Sequence, residues 1–137
     1  MRNNKKAITV LALVTPVLLV TLAATAIAIT RGAARSADAT VEMTSELRYA
    51  PGRVTISVGE TVTWSNTSDV PHTVTANGSL AADPAHVQLP EGAEPFDSDI
   101  IAPGESYSHT FTVAGEYRYV CVPHEGEGML GTVIVQS

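Results

Sequence analysis

The sequence predicts an all-β domain, a β-sandwich, set behind a single N-terminal hydrophobic helix. Two observations carry this. From about residue 40 onward, short apolar runs alternate with polar residues and are bounded by Pro and Gly, a period of two with almost no helical periodicity. Ahead of that point, Ala7 to Ile29 holds no charged residue at all. A length of 137 residues leaves room for one folded domain.

The hydrophobic segment is preceded by Arg2, Lys5 and Lys6. It is longer than the roughly 7–15 residues of a secretory signal core and matches the about 20 that a membrane span needs. Residues 1–31 are therefore expected to be a signal peptide or N-terminal membrane anchor. Length favours the anchor, and the Ala37-Asp38-Ala39 motif supplies the cleavage site of the alternative. The basic residues before the span place everything after it on the outer side, so the domain is expected to be extracytoplasmic. Residues 32–39, GAARSADA, are small and polar enough for a linker, and residues 40–137 form the domain.

Within the domain, Val54, Ile56 and Val58 alternate with polar residues, and Val62 and Trp64 continue the alternation after the Gly59-Glu60 turn. Residues 70–75 (VPHTVT), 107–113 (YSHTFTV), 117–122 (YRYVCV) and 132–136 (TVIVQ) read as further strands. Residues 77–95 are rich in Gly, Ala, Pro and acids and read as a loop with one short helical turn. Short strands at regular spacing over about 100 residues are the pattern of a sandwich.

Charge divides the chain. The leader holds five basic residues and no acid, whereas residues 37–137 hold Arg48, Arg53 and Arg118 against all 14 acids, a formal charge of −11. Nucleic acid is excluded as a natural partner, since its phosphates would be repelled. A protein with a basic docking surface is the complementary partner, although a solvated acidic face accounts for most of these charges taken singly.

The chemistry is concentrated in residues 121–129, CVPHEGEGM, which include the single cysteine of a chain built for export. By period-two counting the Cys121 thiol lies on the face of Tyr117 and Tyr119 and starts inside the sandwich edge. Pro123, Gly126 and Gly128 turn the chain so that His124 and Met129 can face one spot, and His72, behind Pro71, comes from another strand. A lone buried cysteine is commonly a small hydrophobe and a lone methionine is commonly core filler. The combination C-x-x-H-x-x-x-x-M with an upstream Pro-His makes coincidence a poor account. One thiolate, two imidazoles and a thioether form the ligand field of a blue-copper site. Zinc fits less well, because methionine is not among its usual ligands. A Cys121 nucleophile with His124 as base lacks a third, orienting group.

With VPHTV (70–74), APGESYS (102–108) and AGEYRYVCVPHEGEGMLGTVIV (114–135), residues 40–137 resemble a cupredoxin of the plastocyanin type. The resemblance implies a Greek-key β-sandwich with one copper ion at one end, held by His72, Cys121, His124 and Met129. The four residues between His124 and Met129 match plastocyanins and pseudoazurins, while amicyanins have a shorter loop. Pseudoazurins carry a helical C-terminal extension and this chain stops at VIVQS, so a plastocyanin-like or membrane-tethered, halocyanin-like branch is the best match. Thr73 stands where the family often has Asn, so the hydrogen bonds bracing the cysteine loop are expected to differ. Val120 stands where plant plastocyanins have a surface tyrosine, which argues against a remote electron route on that side. Glu125 and Glu127 are expected to set negative charge close to the edge of His124. Of the remaining histidines, His86 is expected at the surface and His109 partly buried among Tyr107 and Phe111.

The resulting expectation is a type 1 copper electron-transfer protein shuttling single electrons between extracytoplasmic redox proteins, a monomer and not an enzyme. His124 would reach the surface among apolar neighbours such as Pro123 and Leu130. A copper-binding or copper-delivery protein without a redox role is the alternative, and a metal-free adhesive sandwich stands third.

Overall fold

The computed structural model describes residues 38–137; the expected signal or anchor segment lies outside the described residues. In chain order the strands are β1 Ala39–Thr44, β2 Arg48–Ala50, β3 Arg53–Ser57, β4 Thr61–Asn66, β5 Thr75–Ala76, β6 Phe96–Asp97, β7 Ser106–Thr110, β8 Gly115–Val120 and β9 Leu130–Gln136. They form a four-stranded sheet, β2-β1-β4-β7, and a five-stranded sheet, β3-β9-β8-β5-β6. The β1–β4 and β3–β9 pairs are parallel, with Val41 opposite Trp64 and Val54 opposite Val133, and the other pairs are antiparallel. The predicted all-β sandwich is thus found, with helix limited to 3-10 turns at Pro84–His86 and Val122–Glu127 among the described residues.

Alternation builds the layers. On β4, Val62, Trp64 and Asn66 point inward, whereas Thr61, Thr63 and Ser65 point outward. The outward hydroxyls pair across the ladder with Thr110, Ser108 and Ser106 at 2.8, 2.8 and 3.0 Å. The inward residues meet the other sheet: Trp64 and Tyr119 pack edge to face with centroids 5.4 Å apart, and the indole N–H donates to the Tyr119 hydroxyl at 2.9 Å. That bond lets two large aromatics be fully buried without leaving a polar atom unpaired. Met43, Phe111, Val41 and Val133 complete this centre, each side chain contributing roughly 1.5–3 kcal/mol of burial. Gly131 on β9 is where Tyr119 lies down, since a Cβ there would run into the tyrosine ring.

Several strand expectations need adjusting. Of the segment expected as a strand at 70–75 only Thr75 joins a ladder, together with Ala76 in the two-residue strand β5. His72 is held instead by a two-way backbone bridge to Ile101, His72 N–H to Ile101 O at 3.1 Å and Ile101 N–H to His72 O at 2.8 Å. Pro71 has no N–H to offer a longer ladder. Val58 lies past the end of β3 in the Gly59 turn and is exposed. The loop expected at 77–95 does contain one helical turn, Pro84–His86, capped by the Asp83 carboxylate on the Ala85 N–H at 2.9 Å.

Candidate metal centre

Three segments converge at one end of the sandwich. The first is the end of β8, which delivers Cys121 with its side chain fully buried. The second is the 121–129 loop. The Cys121 N–H donates to Met129 O at 3.0 Å, the His124 N–H to Cys121 O at 3.1 Å, and the Met129 N–H to His124 O at 3.2 Å. Gly128 closes the loop in the left-handed region (φ 81°), a conformation that costs glycine nothing. The third is the His72 bridge.

His72 Nδ1 lies 3.6 Å and His124 Nδ1 3.4 Å from Cys121 Sγ. All three ligand atoms lie within 4.8 Å of one another. Met129, fully buried, ends the same loop. The structure therefore brings His72, Cys121 and His124 together and seats Met129 in the core beside them. His72 is fully buried and His124 half-buried, the two rings meeting edge to face at 5.0 Å.

The surroundings orient these groups. His72 Nε2 lies 2.9 Å from Ser68 Oγ. Its N–H donates there, which leaves the Nδ1 lone pair free on the side of the sulfur. Ser68 is itself held by Asn66, whose Oδ1 accepts from the Ser68 N–H and hydroxyl while its amide donates to Val70 O and Ile101 O. Thr73 braces the cysteine from the other side: its N–H donates to Sγ at 3.3 Å and its Oγ1 accepts from the Val122 N–H at 2.9 Å. A hydroxyl thus ties the cysteine loop at the position where the resemblance led one to expect an amide. Burial pushes the Cys121 thiol up, against the opposing bonds from Thr73 and His124. Burial, then the neighbouring His124, pushes His72 down.

Asn66 and Ser68 were not singled out from sequence, yet the N-T-S turn just ahead of the Pro-His pair was their signal. Glu125 departs from expectation. Its side chain is 3% exposed and bonded to residues 82–86 instead of facing water, whereas Glu127 is exposed. His86 is half-exposed, as expected, but its Nδ1 bonds Glu125 Oε1 at 2.8 Å. Burial works to raise the Glu125 carboxyl, and the amides of Asp83 and Ala82 with His86 outweigh it, leaving the pKa below its ordinary value. His109 is half-buried against Phe111, as its spacing predicts, and also stacks on Phe96 at 4.0 Å, which the spacing did not show.

A buried set of one sulfur and two imidazole nitrogens suits a soft, imidazole-binding ion such as copper. Comparison with known proteins agrees. Residues 36–136 match the model of the copper binding proteins of the plastocyanin/azurin family. The chain is 40% identical over 106 residues to plastocyanin of Scenedesmus fuscus, covering 72% of this chain and 100% of that one. It is 44% identical over 90 residues to the chloroplastic plastocyanin of Tetradesmus obliquus, covering 66% of this chain but 59% of that longer protein. Among solved structures, a reduced-state amicyanin variant superposes with a TM-score of 0.57 at 29% identity, covering 73% of this chain and 83% of that one. A Cu(I) form of another amicyanin variant gives 0.56, also at 29% identity, covering 72% and 82%. This chain is a member of the plastocyanin/azurin family of copper-binding proteins.

Proposed function

We propose that the domain is a one-electron carrier whose copper is held by His72, Cys121, His124 and Met129. The carrying observation is the convergence of His72 Nδ1, Cys121 Sγ and His124 Nδ1 within 4.8 Å, with His72 and Cys121 fully buried and braced by Ser68 and Thr73. Copper, when bound, supplies a Cu(I)/Cu(II) couple. Cys121 gives the thiolate, His72 and His124 the imidazoles, and Met129 the weak axial thioether. The hydrogen bond that His72 donates to Ser68 and the one that the Thr73 N–H donates to Cys121 hold these groups in place through oxidation and reduction, which limits the rearrangement each electron demands. Four protein donors leave no position for a substrate, so the domain is not itself an enzyme.

His124 is the ligand closest to solvent, and Pro123, Val122 and Leu130 around it are exposed. This apolar rim is the proposed exit for the electron. The acidic domain acts as a monomer outside the cytoplasm, on redox proteins with a basic face, and is held to the membrane by residues 7–29. Intact mass and fractionation of the native protein check the attachment; a soluble product beginning near Ala37 would remove it.

The test of the site is optical. The oxidised, copper-loaded protein is expected to show an intense thiolate-to-copper charge-transfer band, and Cys121→Ser to lose it while remaining folded. An equally blue serine variant would overturn the assignment. Repeated electron exchange with retention of the metal separates a carrier from a copper-delivery protein, which would surrender it.

A further inference from the structure

We propose that Glu125 is a positioning residue for His124, the inner end of a strut that fixes the ligand loop against the strand bearing Cys121. The inference rests on the assignment of His124 as a ligand. A glutamate side chain 3% exposed is unusual in a small domain, because removing a carboxylate from water costs several kcal/mol unless it is fully bonded. Here it is. Oε2 accepts from the Ala82 N–H at 2.7 Å, and Oε1 accepts from the Asp83 N–H at 3.0 Å and from His86 Nδ1 at 2.8 Å.

The partner segment is itself anchored. Asp83 caps the 3-10 turn through the Ala85 N–H, the His86 N–H donates to Asp83 O at 3.0 Å, and the Val87 N–H donates to Pro84 O at 3.2 Å. Immediately beyond, Gln88 and Arg118 exchange backbone bonds, Gln88 N–H to Arg118 O at 3.2 Å and Arg118 N–H to Gln88 O at 2.9 Å. Residues 82–88 therefore run from the carboxylate of Glu125, the residue after His124, to β8, the strand that leads into Cys121. Within the ligand loop, the Glu125 carbonyl also accepts from the Gly128 N–H at 3.0 Å. The geometry forms a closed triangle: β8 to Cys121, the loop from Cys121 to Glu125, and the segment 82–88 back to β8. Such a brace sets where the His124 ring stands relative to the sulfur without touching either atom. Groups bonded directly to ligand side chains commonly carry about 10–100-fold in metal affinity, and a brace one step further out is expected at the lower end of that range.

The experiment compares copper-loaded wild type with Glu125→Ala, Glu125→Gln and His86→Ala. The readouts are the rate of copper loss to an excess of a Cu(I) chelator after reduction, and the visible and electron-paramagnetic-resonance spectra of the oxidised forms. Glu125→Ala is expected to lose copper about tenfold faster or more and to show an altered spectrum. Glu125→Gln, which keeps one accepting oxygen but turns an NH2 toward the remaining donors, is expected to fall between it and wild type. His86→Ala keeps the carboxylate on both amides and should show a smaller change of the same kind; it decides the matter if the Glu125 variants do not fold. Wild-type release rates and spectra in Glu125→Ala and His86→Ala, even with lowered melting temperatures, would reduce the cluster to packing and overturn the proposal. A wild-type protein without the charge-transfer band would instead overturn the ligand assignment, and the strut with it.

Discussion

At the scale of single residues, the site is a contest between burial and bonding. Cys121 and His72 are both fully buried, and burial disfavours the charged form of each. An ion that takes a thiolate and two neutral imidazoles relieves this, which is why a buried thiol can stay unpaired here. Met129, the proposed axial donor, differs from the other three in being a weak, neutral thioether. Replacing it with Gln offers a harder oxygen, which favours Cu(II), so the reduction potential should fall while copper stays bound. Replacing it with Leu removes the donor and should raise the potential. A shift of about 59 mV is a tenfold change in the relative binding of the two oxidation states, and voltammetry should find at least that in each direction. Unchanged potentials in both variants would make Met129 a packing residue only.

At the scale of elements, the two sheets are joined most visibly where β7 crosses over β6. His109 of β7 stacks on Phe96 of β6 with centroids 4.0 Å apart and meets Phe111 at 4.8 Å. Burial lowers the His109 pKa below its ordinary value of 6.5. The unfolded chain thus binds this proton more readily than the folded one. Stability from the neutral ring is fully present above about pH 6.5 and is lost as the pH falls through the lower, folded value. His109→Phe keeps an aromatic surface against Phe96 and has no proton to gain. Its unfolding free energy should vary less than that of wild type between about pH 7 and pH 5, as measured by denaturant titration at each pH. Parallel pH profiles for the two proteins would show that the ring is not held neutral.

The whole molecule carries its charge lopsidedly, with all 14 acids in the region after residue 36. Long-range attraction of this kind accelerates encounter with a basic partner and is screened by salt, over about 30 Å at 0.01 M and about 10 Å at 0.1 M. Electron-transfer rates with such a partner should therefore fall by roughly an order of magnitude as ionic strength rises across that range, in stopped-flow measurements. A rate indifferent to salt would point to docking on the apolar rim of Pro123, Val122 and Leu130, with the acids serving solubility.

Sequence by itself determined what is written in local pattern. Period-two alternation marked β3, β4, β7, β8 and β9, and the C-x-x-H-x-x-x-x-M spacing with His72 marked the residues that the fold brings together or seats beside them. The same alternation was present in β1, where Val41 and Met43 face the core, but six residues beside a polar linker are a weak signal next to that of Trp64. Tertiary structure alone decided the rest. A sequence shows that Glu125 follows a ligand histidine, but whether a carboxylate faces water or the interior depends on which donors the fold brings to it. Those donors, Ala82, Asp83 and His86, lie about 40 residues away in a loop with no periodic pattern. The same holds for Ser68 behind His72 and Thr73 against Cys121. Hydrogen bonds between distant segments leave no periodicity in the chain, because they depend on where the backbone is carried and not on how its neighbours alternate.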